Sequence, residues 1–348
     1  MLRRVKLNLF QQFRQSEIRL HELNYLFWEC TVRCNLNCLH CGSDCTKIAS
    51  VPDMPLPDFL AALDTIEHKT DNFTIVLTGG EPLLRKDIDN CGFEIRKRGF
   101  QWGMVTNGFL YNSEMQNRLL NAGMGALTIS LDGLAESHNR LRNNPLSFKK
   151  ACNAIEKAVT ATRLNFDVVT CVNPWNIKEL ESLYQFLIDR NVKAWRLFTI
   201  APMGRAASNQ ELFLNSDQFD VLMKFIATKR QLHQNDIKFS CEAYVGKYEL
   251  KVRDVPFFCR AGINIGSVLI DGSISACPNI DRNFVQGNIY KDNFFDVWQH
   301  RFDVFRNRDW NKTGICATCN EYKYCAGNGF HYRECNNPEV MVCRKTKE

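Results

Sequence analysis

The chain has no apolar run of about 18 residues, the minimum for a helix that crosses a bilayer, so no membrane span is expected. It also has no long Lys/Arg run and no basic segment interleaved with aromatics. Its 44 Lys+Arg against 38 Asp+Glu leave a formal charge of only +6, which gives nucleic-acid binding little support. The stretch Met1 to Lys6 is basic, but neither an apolar core nor a small-residue cleavage site follows it. A signal peptide is therefore not expected, and a cytoplasmic location is. With 45% apolar and 24% charged residues over 348 positions, the composition is that of a soluble globular protein with room for one large domain and one small one.

Cysteine, by contrast, is abundant and unevenly placed. Of 16 cysteines, three fall in Cys34-Asn35-Leu36-Asn37-Cys38-Leu39-His40-Cys41 and five between Cys316 and Cys343. In a secreted chain this abundance would suggest disulfides; in a reducing compartment such clusters read as metal ligands. A loop with x3 and x2 spacing can aim three thiolates at one centre, and thiolates are soft ligands suited to iron–sulfur clusters or zinc. A cubane cluster held by three cysteines keeps one iron without a protein ligand. Two other readings stand beside this one. The loop can be half of a zinc site, although such sites usually show paired Cys-x2-Cys knuckles. Alternatively Cys45, at a further x3, closes a fourth corner as in a ferredoxin-like electron carrier.

Residues 1–24 carry Leu2, Val5, Leu9, Phe13 and Ile18 at loosely helical spacing and read as a packing helix. Tyr25-Leu26-Phe27-Trp28 then leads into the cysteine loop as a buried strand would. Strand-like runs at Phe73–Leu77, Trp102–Val105, Leu127–Leu131, Phe166–Val172 and Trp195–Ile200 alternate with helix-length stretches. Those stretches are Pro57–Lys69, Asp87–Arg98, Ser113–Asn121, Phe148–Thr162, Ile177–Arg190 and Asp217–Leu232. Six strand–helix units imply a parallel sheet covered by helices, with ligands gathered at the carboxyl ends of the strands. The distinctive residues fall at those ends: the cysteine loop, Thr78-Gly79-Gly80-Glu81-Pro82, Thr106-Asn107-Gly108, Ser130-Leu131-Asp132-Gly133 with His138 and Arg142 beyond it, Asn173-Pro174, and Ala201-Pro202-Met203-Gly204-Arg205. Two adjacent glycines allow close backbone approach to a ligand, and the glutamate can accept from a cationic group.

The Cys34-x3-Cys38-x2-Cys41 loop followed by Gly79-Gly80-Glu81-Pro82 resembles the radical S-adenosylmethionine (radical SAM) superfamily over roughly residues 25–240. The resemblance implies an α/β fold built on a partial (β/α)6 barrel. It also implies a 4Fe–4S cluster on Cys34, Cys38 and Cys41, with SAM chelating the fourth iron. By the same resemblance the loop of Gly79, Gly80, Glu81 and Pro82 meets the SAM amino group, with Glu81 as the side-chain candidate. Ser130 and Arg142 resemble residues that hold the SAM carboxylate or ribose; for Arg142 the ordinary alternative is a surface arginine. Thr106, Asn107 and Asp132 are further pocket candidates. His40 departs from the Phe or Tyr usual in the family, though its ring can still stack on adenine. Cys45 is then a bystander.

From about Val255 the composition shifts. Cys259 is followed after twelve residues by Gly272 and after four more by Cys277; then come Cys316-x2-Cys319-x5-Cys325, Cys335 and Cys343. Gly266 to Ala276 reads as a small hairpin around Asp271-Gly272. Cys316-x2-Cys319 is also compatible with a zinc knuckle. This tail resembles the SPASM extension of radical SAM peptide maturases, which carries two auxiliary 4Fe–4S clusters. The resemblance assigns Cys316, Cys319, Cys325 and Cys343 to an outer cluster and Cys259, Cys277 and Cys335 to an inner one, whose three ligands leave an iron open to substrate or another residue. Cys335 stands in because the position x3 after Cys325, usually cysteine, is Gly329. Cys91, Cys152, Cys171 and Cys241 are left to core packing. The expected organisation is an N-terminal helical segment (1–24), a barrel (25–250) and an auxiliary iron–sulfur domain (251–348).

The resemblance implies an enzyme that reductively cleaves SAM and abstracts hydrogen from a peptide or protein substrate, supplied with electrons by a flavodoxin- or ferredoxin-type donor. Anaerobic sulfatase maturases resemble the chain in layout, but where they place an aspartate base after the cysteine equivalent to Cys277 this chain has Pro278, favouring maturation of a ribosomally made peptide. The rival reading is a non-enzymatic iron–sulfur electron carrier, which leaves the strand-end motifs without a role. Arg205 and Tyr244 are possible contacts of a peptide, and both are ordinarily surface or packing residues.

Overall fold

The structure, a computed structural model, describes residues 2–49, 51–67, 70–337 and 339–345. Met1, Lys69 and the last three residues, on which parts of the sequence reading fall, lie outside them. Helix α1 (Leu2–Leu20) precedes β1 (Tyr25–Thr31), and the chain then alternates α2 (Leu56–Asp64), β2 (Thr74–Gly79), α3 (Ile88–Lys97), β3 (Gln101–Thr106), α4 (Ser113–Asn121) and β4 (Met124–Ser130). Two helices, α5 (Ala135–Arg142) and α6 (Ser147–Ala158), lead to β5 (Asn165–Val172), α7 (Leu180–Asp189), β6 (Ala194–Thr199), α8 (Ser216–Arg230) and β7 (Asp236–Phe239). The tail adds β8 (Ile265–Val268), β9 (Ser273–Ser275), β10 (Gly287–Asn288) and short helices from Phe294 onward.

All described strands belong to one sheet in the order β10-β9-β8-β1-β2-β3-β4-β5-β6-β7. Strands β8 and β1 to β7 are parallel to one another; β9 pairs antiparallel with β8, and β10 antiparallel with β9. Parallel strands buried on both faces need apolar residues on one side for the helices and selected polar ones on the other. On β1, Leu26, Trp28 and Cys30 are fully buried; Trp28 stacks on Phe59 of α2 at 4.1 Å and donates to Met54 Sδ. The alternate face carries Glu29 and, on neighbouring strands, Thr128, Asp167 and Arg196, which bond to one another.

The six expected strands and their six helices are present, and the hairpin around Asp271-Gly272 forms with Gly272 at φ +81°. Three features differ. Helix α5 was not anticipated, because Ala135–Arg142 has little apolar periodicity. A seventh parallel strand, β7, extends the sheet. The tail does not form a separate layer: β8 pairs directly with β1, so the hairpin prolongs the barrel sheet. Helix α1 forms, but Val5, Leu9 and Phe13 are exposed; it packs through Leu7, through Phe10 against Phe258, and through Arg14, whose guanidinium donates to Lys323 O and Tyr324 O.

Candidate functional site

The cysteine loop leaves the carboxyl end of β1, and its own carbonyls are fastened from behind. Cys34 N donates to Thr46 O at 2.8 Å and Leu39 N to Leu141 O at 2.9 Å. The Arg205 guanidinium donates to Cys38 O (2.9 Å), Cys45 O (3.0 Å) and Asp44 Oδ1 (2.6 Å), while its backbone N–H reaches Cys41 O. Gly204 has φ +53°, and a Cβ there would lie 2.4 Å from Cys41 O and Gly42 O, so only glycine lets the end of β6 press this close. Arg205 therefore staples the loop and does not wait for a peptide. Tyr244, the other residue weighed for that role, bonds Glu321 and Arg3.

The three thiols differ in environment. Burial pushes Cys34 up to about 12. Burial also raises Cys38, opposed by Arg142, whose Nη1 lies 3.7 Å from the Cys38 sulfur. The neighbouring Cys45 thiol draws Cys41 down. Cys45 is buried, and its own ionisation is opposed by Cys41 and by burial. The expected bystander thus touches the group directly.

The close approach allowed by Gly79 and Gly80 is to protein backbone. A Cβ on Gly79 (φ +122°) would lie 2.0 Å from Thr31 O, and one on Gly80 would lie 2.0 Å from Arg33 O. Gly80 N and Glu81 N donate to those same two carbonyls, each at 2.8 Å. The glycines thus lock β2 to the start of the cysteine loop. The fully buried Glu81 carboxylate accepts from Thr106 Oγ1 (2.7 Å), Asn107 N (2.8 Å) and Leu83 N (3.2 Å). Burial raises its pKa, against those three bonds. Pro82 opens the buried turn that follows. Asn107 Nδ2 in turn donates to Asn35 Oδ1 at 2.8 Å and lies 3.9 Å from the Cys34 sulfur. Glu81, Thr106 and Asn107 are thus one connected unit supporting the loop.

A second unit forms beyond β4, where Ser130 is buried two residues before Asp132. Asp132 Oδ2 accepts from Arg142 Nε at 2.6 Å and Oδ1 from Cys171 N at 2.8 Å. Burial alone would raise the Asp132 carboxyl, but Arg142 and the nearby His40 and His138 hold it at about 2. Arg142 is buried on α5, which excludes the surface reading; burial opposes its charge, but Asp132, Cys38 and Cys171 together outweigh that cost and raise its pKa. His40 Nε2 lies 3.8 Å from Asp132, and burial keeps the ring neutral, near 4. One ligand atom from each of His40, Asp132 and Cys171 falls within a 4.8 Å span, so His40 faces the barrel interior.

In the tail, Cys316, Cys319, Cys325 and Cys343 gather: the Cys325 thiol is pushed up to about 12 by burial, and the other three lie near enough to raise it further. Arg333 Nη2 donates to the Cys316 sulfur at 3.3 Å. Cys241 and Cys259 are both among the neighbouring thiols of Cys277. Cys335 N donates to Asp281 Oδ2, and the carboxylate of Asp281 is the charged neighbour of the Cys335 thiol. Cys241 is exposed, so the expectation of core packing for it does not hold.

Two arrays of thiols beside arginines, at the strand ends and in the tail, are a donor set for iron–sulfur clusters. Family models agree with that chemistry. Residues 28–187 match the radical SAM superfamily and residues 259–320 match an iron–sulfur cluster-binding domain, SPASM. The chain carries a radical SAM domain and a SPASM domain; it is an enzyme whose cofactors are 4Fe–4S clusters and SAM. It is 27% identical over 328 residues to the AdoMet-dependent heme synthase of Methanosarcina barkeri, covering 86% of this chain and 89% of that one. It is 28% identical over 313 residues to the mycofactocin maturase MftC of Mycobacterium ulcerans, covering 87% and 81%. In fold it is similar to Streptococcus suis SuiB bound to its precursor peptide SuiA, with a TM-score of 0.69 at 15% identity, covering 90% of this chain and 74% of that one. No helix among the described residues is long and apolar enough to cross a membrane.

Proposed function

We propose that the chain modifies a peptide or protein: it cleaves SAM reductively and removes hydrogen from a substrate side chain. The observation that carries this is the loop of Cys34, Cys38 and Cys41, its backbone fastened by Arg205 and its thiols left facing Arg142 and Asn107. Three convergent thiols with a guanidinium beside one of them fit a 4Fe–4S cluster on Cys34, Cys38 and Cys41. When bound, the cluster and SAM supply the reductive cleavage that gives methionine and a 5′-deoxyadenosyl radical. Arg142 stabilises negative charge on Cys38 and, through Asp132, is held in place for it. The Glu81–Thr106–Asn107 unit fixes the loop next to Cys34, and Ser130, His40 and the Gly79–Pro82 turn complete the surroundings proposed for SAM. We assign residues 25–250 to the barrel, 251–348 to the auxiliary domain, and Cys316, Cys319, Cys325 and Cys343 to the outer cluster.

The peptide substrate is supported by relatives: a maturase at 28% identity and a similarly folded protein bound to its precursor peptide. A second reading, action on a tetrapyrrole side chain, is favoured by the match to heme synthases along 86% of the chain. Pro278 leaves no carboxylate where sulfatase maturases place their base, which argues against formylglycine formation. A flavodoxin- or ferredoxin-type donor is the proposed electron source. The test is anaerobic turnover with SAM and dithionite, with candidate precursor peptides and iron-coproporphyrin offered separately. Mass change in a peptide alone supports the first reading; mass change in the porphyrin alone replaces it with the second.

A further inference from the structure

Past Cys325 the chain turns through three consecutive residues at positive φ, Ala326 (+51°), Gly327 (+81°) and Asn328 (+75°). A Cβ on Gly327 would lie 2.3 Å from Asn311 Oδ1, so the turn closes tightly on that side chain. Asn328 Nδ2 donates to Val342 O at 2.9 Å, which ties the segment of Cys343 to that of Cys325. The carbonyl of Gly327 meets the Arg333 guanidinium, accepting from Nε at 2.9 Å and from Nη2 at 2.7 Å. Nη1 of the same group donates to Asn311 O at 3.3 Å, and Nη2 also donates to the Cys316 sulfur at 3.3 Å. Arg333 is 1% exposed, and Cys316 is buried beside it. A cation this far from water acts strongly on a neighbouring anion, because little solvent screens it. At the strand-end loop the corresponding contact is longer: Arg142 Nη1 lies 3.7 Å from the Cys38 sulfur, and Nε of the same group donates to Asp132.

We propose that Arg333 sets the redox poise of the outer auxiliary cluster, raising its reduction potential through a charge-assisted hydrogen bond to the Cys316 thiolate. The inference rests on the assignment of Cys316, Cys319, Cys325 and Cys343 to that cluster. Reduction adds negative charge to a cluster and its ligating sulfurs, so a guanidinium bonded to one of those sulfurs stabilises the reduced state more than the oxidised one. The Gly327 and Asn311 carbonyls hold the guanidinium in place before any electron arrives, so little reorganisation is needed when the charge changes. Acting through a ligand, Arg333 is a positioning residue.

The test is an EPR-monitored redox titration of the anaerobically reconstituted full chain, which needs neither substrate nor SAM cleavage. The outer cluster's signal is the one missing from Cys319→Ala. Arg333→Met is expected to make its reduction about tenfold less favourable, a midpoint lower by about 59 mV for one electron. Arg333→Lys, which keeps the charge, is expected to recover part of that shift. Should Arg333→Met not load the cluster, pulsed EPR of the reduced parent chain carrying isotope-labelled arginine replaces it. Hyperfine coupling to a guanidinium nitrogen is then expected in the signal that Cys319→Ala lacks. A midpoint unchanged or raised in Arg333→Met, or absence of that coupling, would overturn the inference and leave the cluster assignment intact. A Cys319→Ala chain that keeps its full iron and every signal would overturn the assignment, and the inference with it.

Discussion

Replacing Gly80 by alanine tests the idea that the two glycines after β2 lock that strand to the cysteine loop. The added methyl would lie 2.0 Å from Arg33 O and 2.6 Å from Arg33 C, both backbone atoms that no side-chain rotation can move. Relief requires β2 and the loop to separate, which breaks the 2.8 Å bonds from Gly80 N to Thr31 O and from Glu81 N to Arg33 O. Each such bond contributes about 1 kcal/mol, and forced overpacking costs about 1–3 kcal/mol, so the sum is about 3–5 kcal/mol. That is a large part of an ordinary domain's stability. Gly99 is the control: its φ is +86° but nothing lies within 4 Å of a Cβ there, so Gly99→Ala carries only the left-handed conformational cost, about 1–2 kcal/mol. Urea unfolding of cluster-free protein, followed by tryptophan fluorescence, measures both. If Gly80→Ala costs no more than Gly99→Ala, the tight junction is not what the glycines provide.

Other outcomes follow from the same contacts. Arg142→Met leaves the Asp132 carboxylate buried without its cation and is expected to cost about 3–5 kcal/mol, while Arg142→Met/Asp132→Asn recovers much of that; additive losses in a double-mutant cycle would refute a coupled pair. Asp132 is held at about 2, below its ordinary 3.8, so its contribution is complete above that ordinary value and is lost as pH falls through the folded one. The penalty of Arg142→Met should therefore shrink on going from neutral pH to about pH 3, and a penalty that stays constant would count against the pairing. Arg205→Met removes three side-chain bonds to the cysteine loop, so alkylation of Cys38 and Cys41 in cluster-free protein should quicken while the rest of the fold holds. Unchanged alkylation would show that the loop is held by other means.

The parts of this protein legible in its sequence were those with local spacing. The Cys34, Cys38, Cys41 pattern, the Gly79-Gly80-Glu81-Pro82 turn and the alternation of apolar runs with helix-length stretches each lie within a few residues of chain. What escaped depends on contacts between distant segments. Helix α5 was invisible because its eight residues hold only two apolar side chains, Ala135 and Leu141, and it is held instead by Arg142 reaching Asp132 and Cys38. Nor does spacing show that Gly79 and Gly80 admit the Thr31 and Arg33 carbonyls. Arg205 was visible at the end of the sixth strand, yet its grip on Cys38, Asp44 and Cys45 spans about 160 residues.

The most direct test of the whole account is 5′-deoxyadenosine release by anaerobically reconstituted protein given SAM and dithionite, beside Cys34→Ala, Cys38→Ala and Cys41→Ala. Release by the parent chain and none from the three variants, with the auxiliary iron retained, is the predicted result. An iron-replete parent that releases none with every candidate substrate, or release undiminished in the variants, would contradict it.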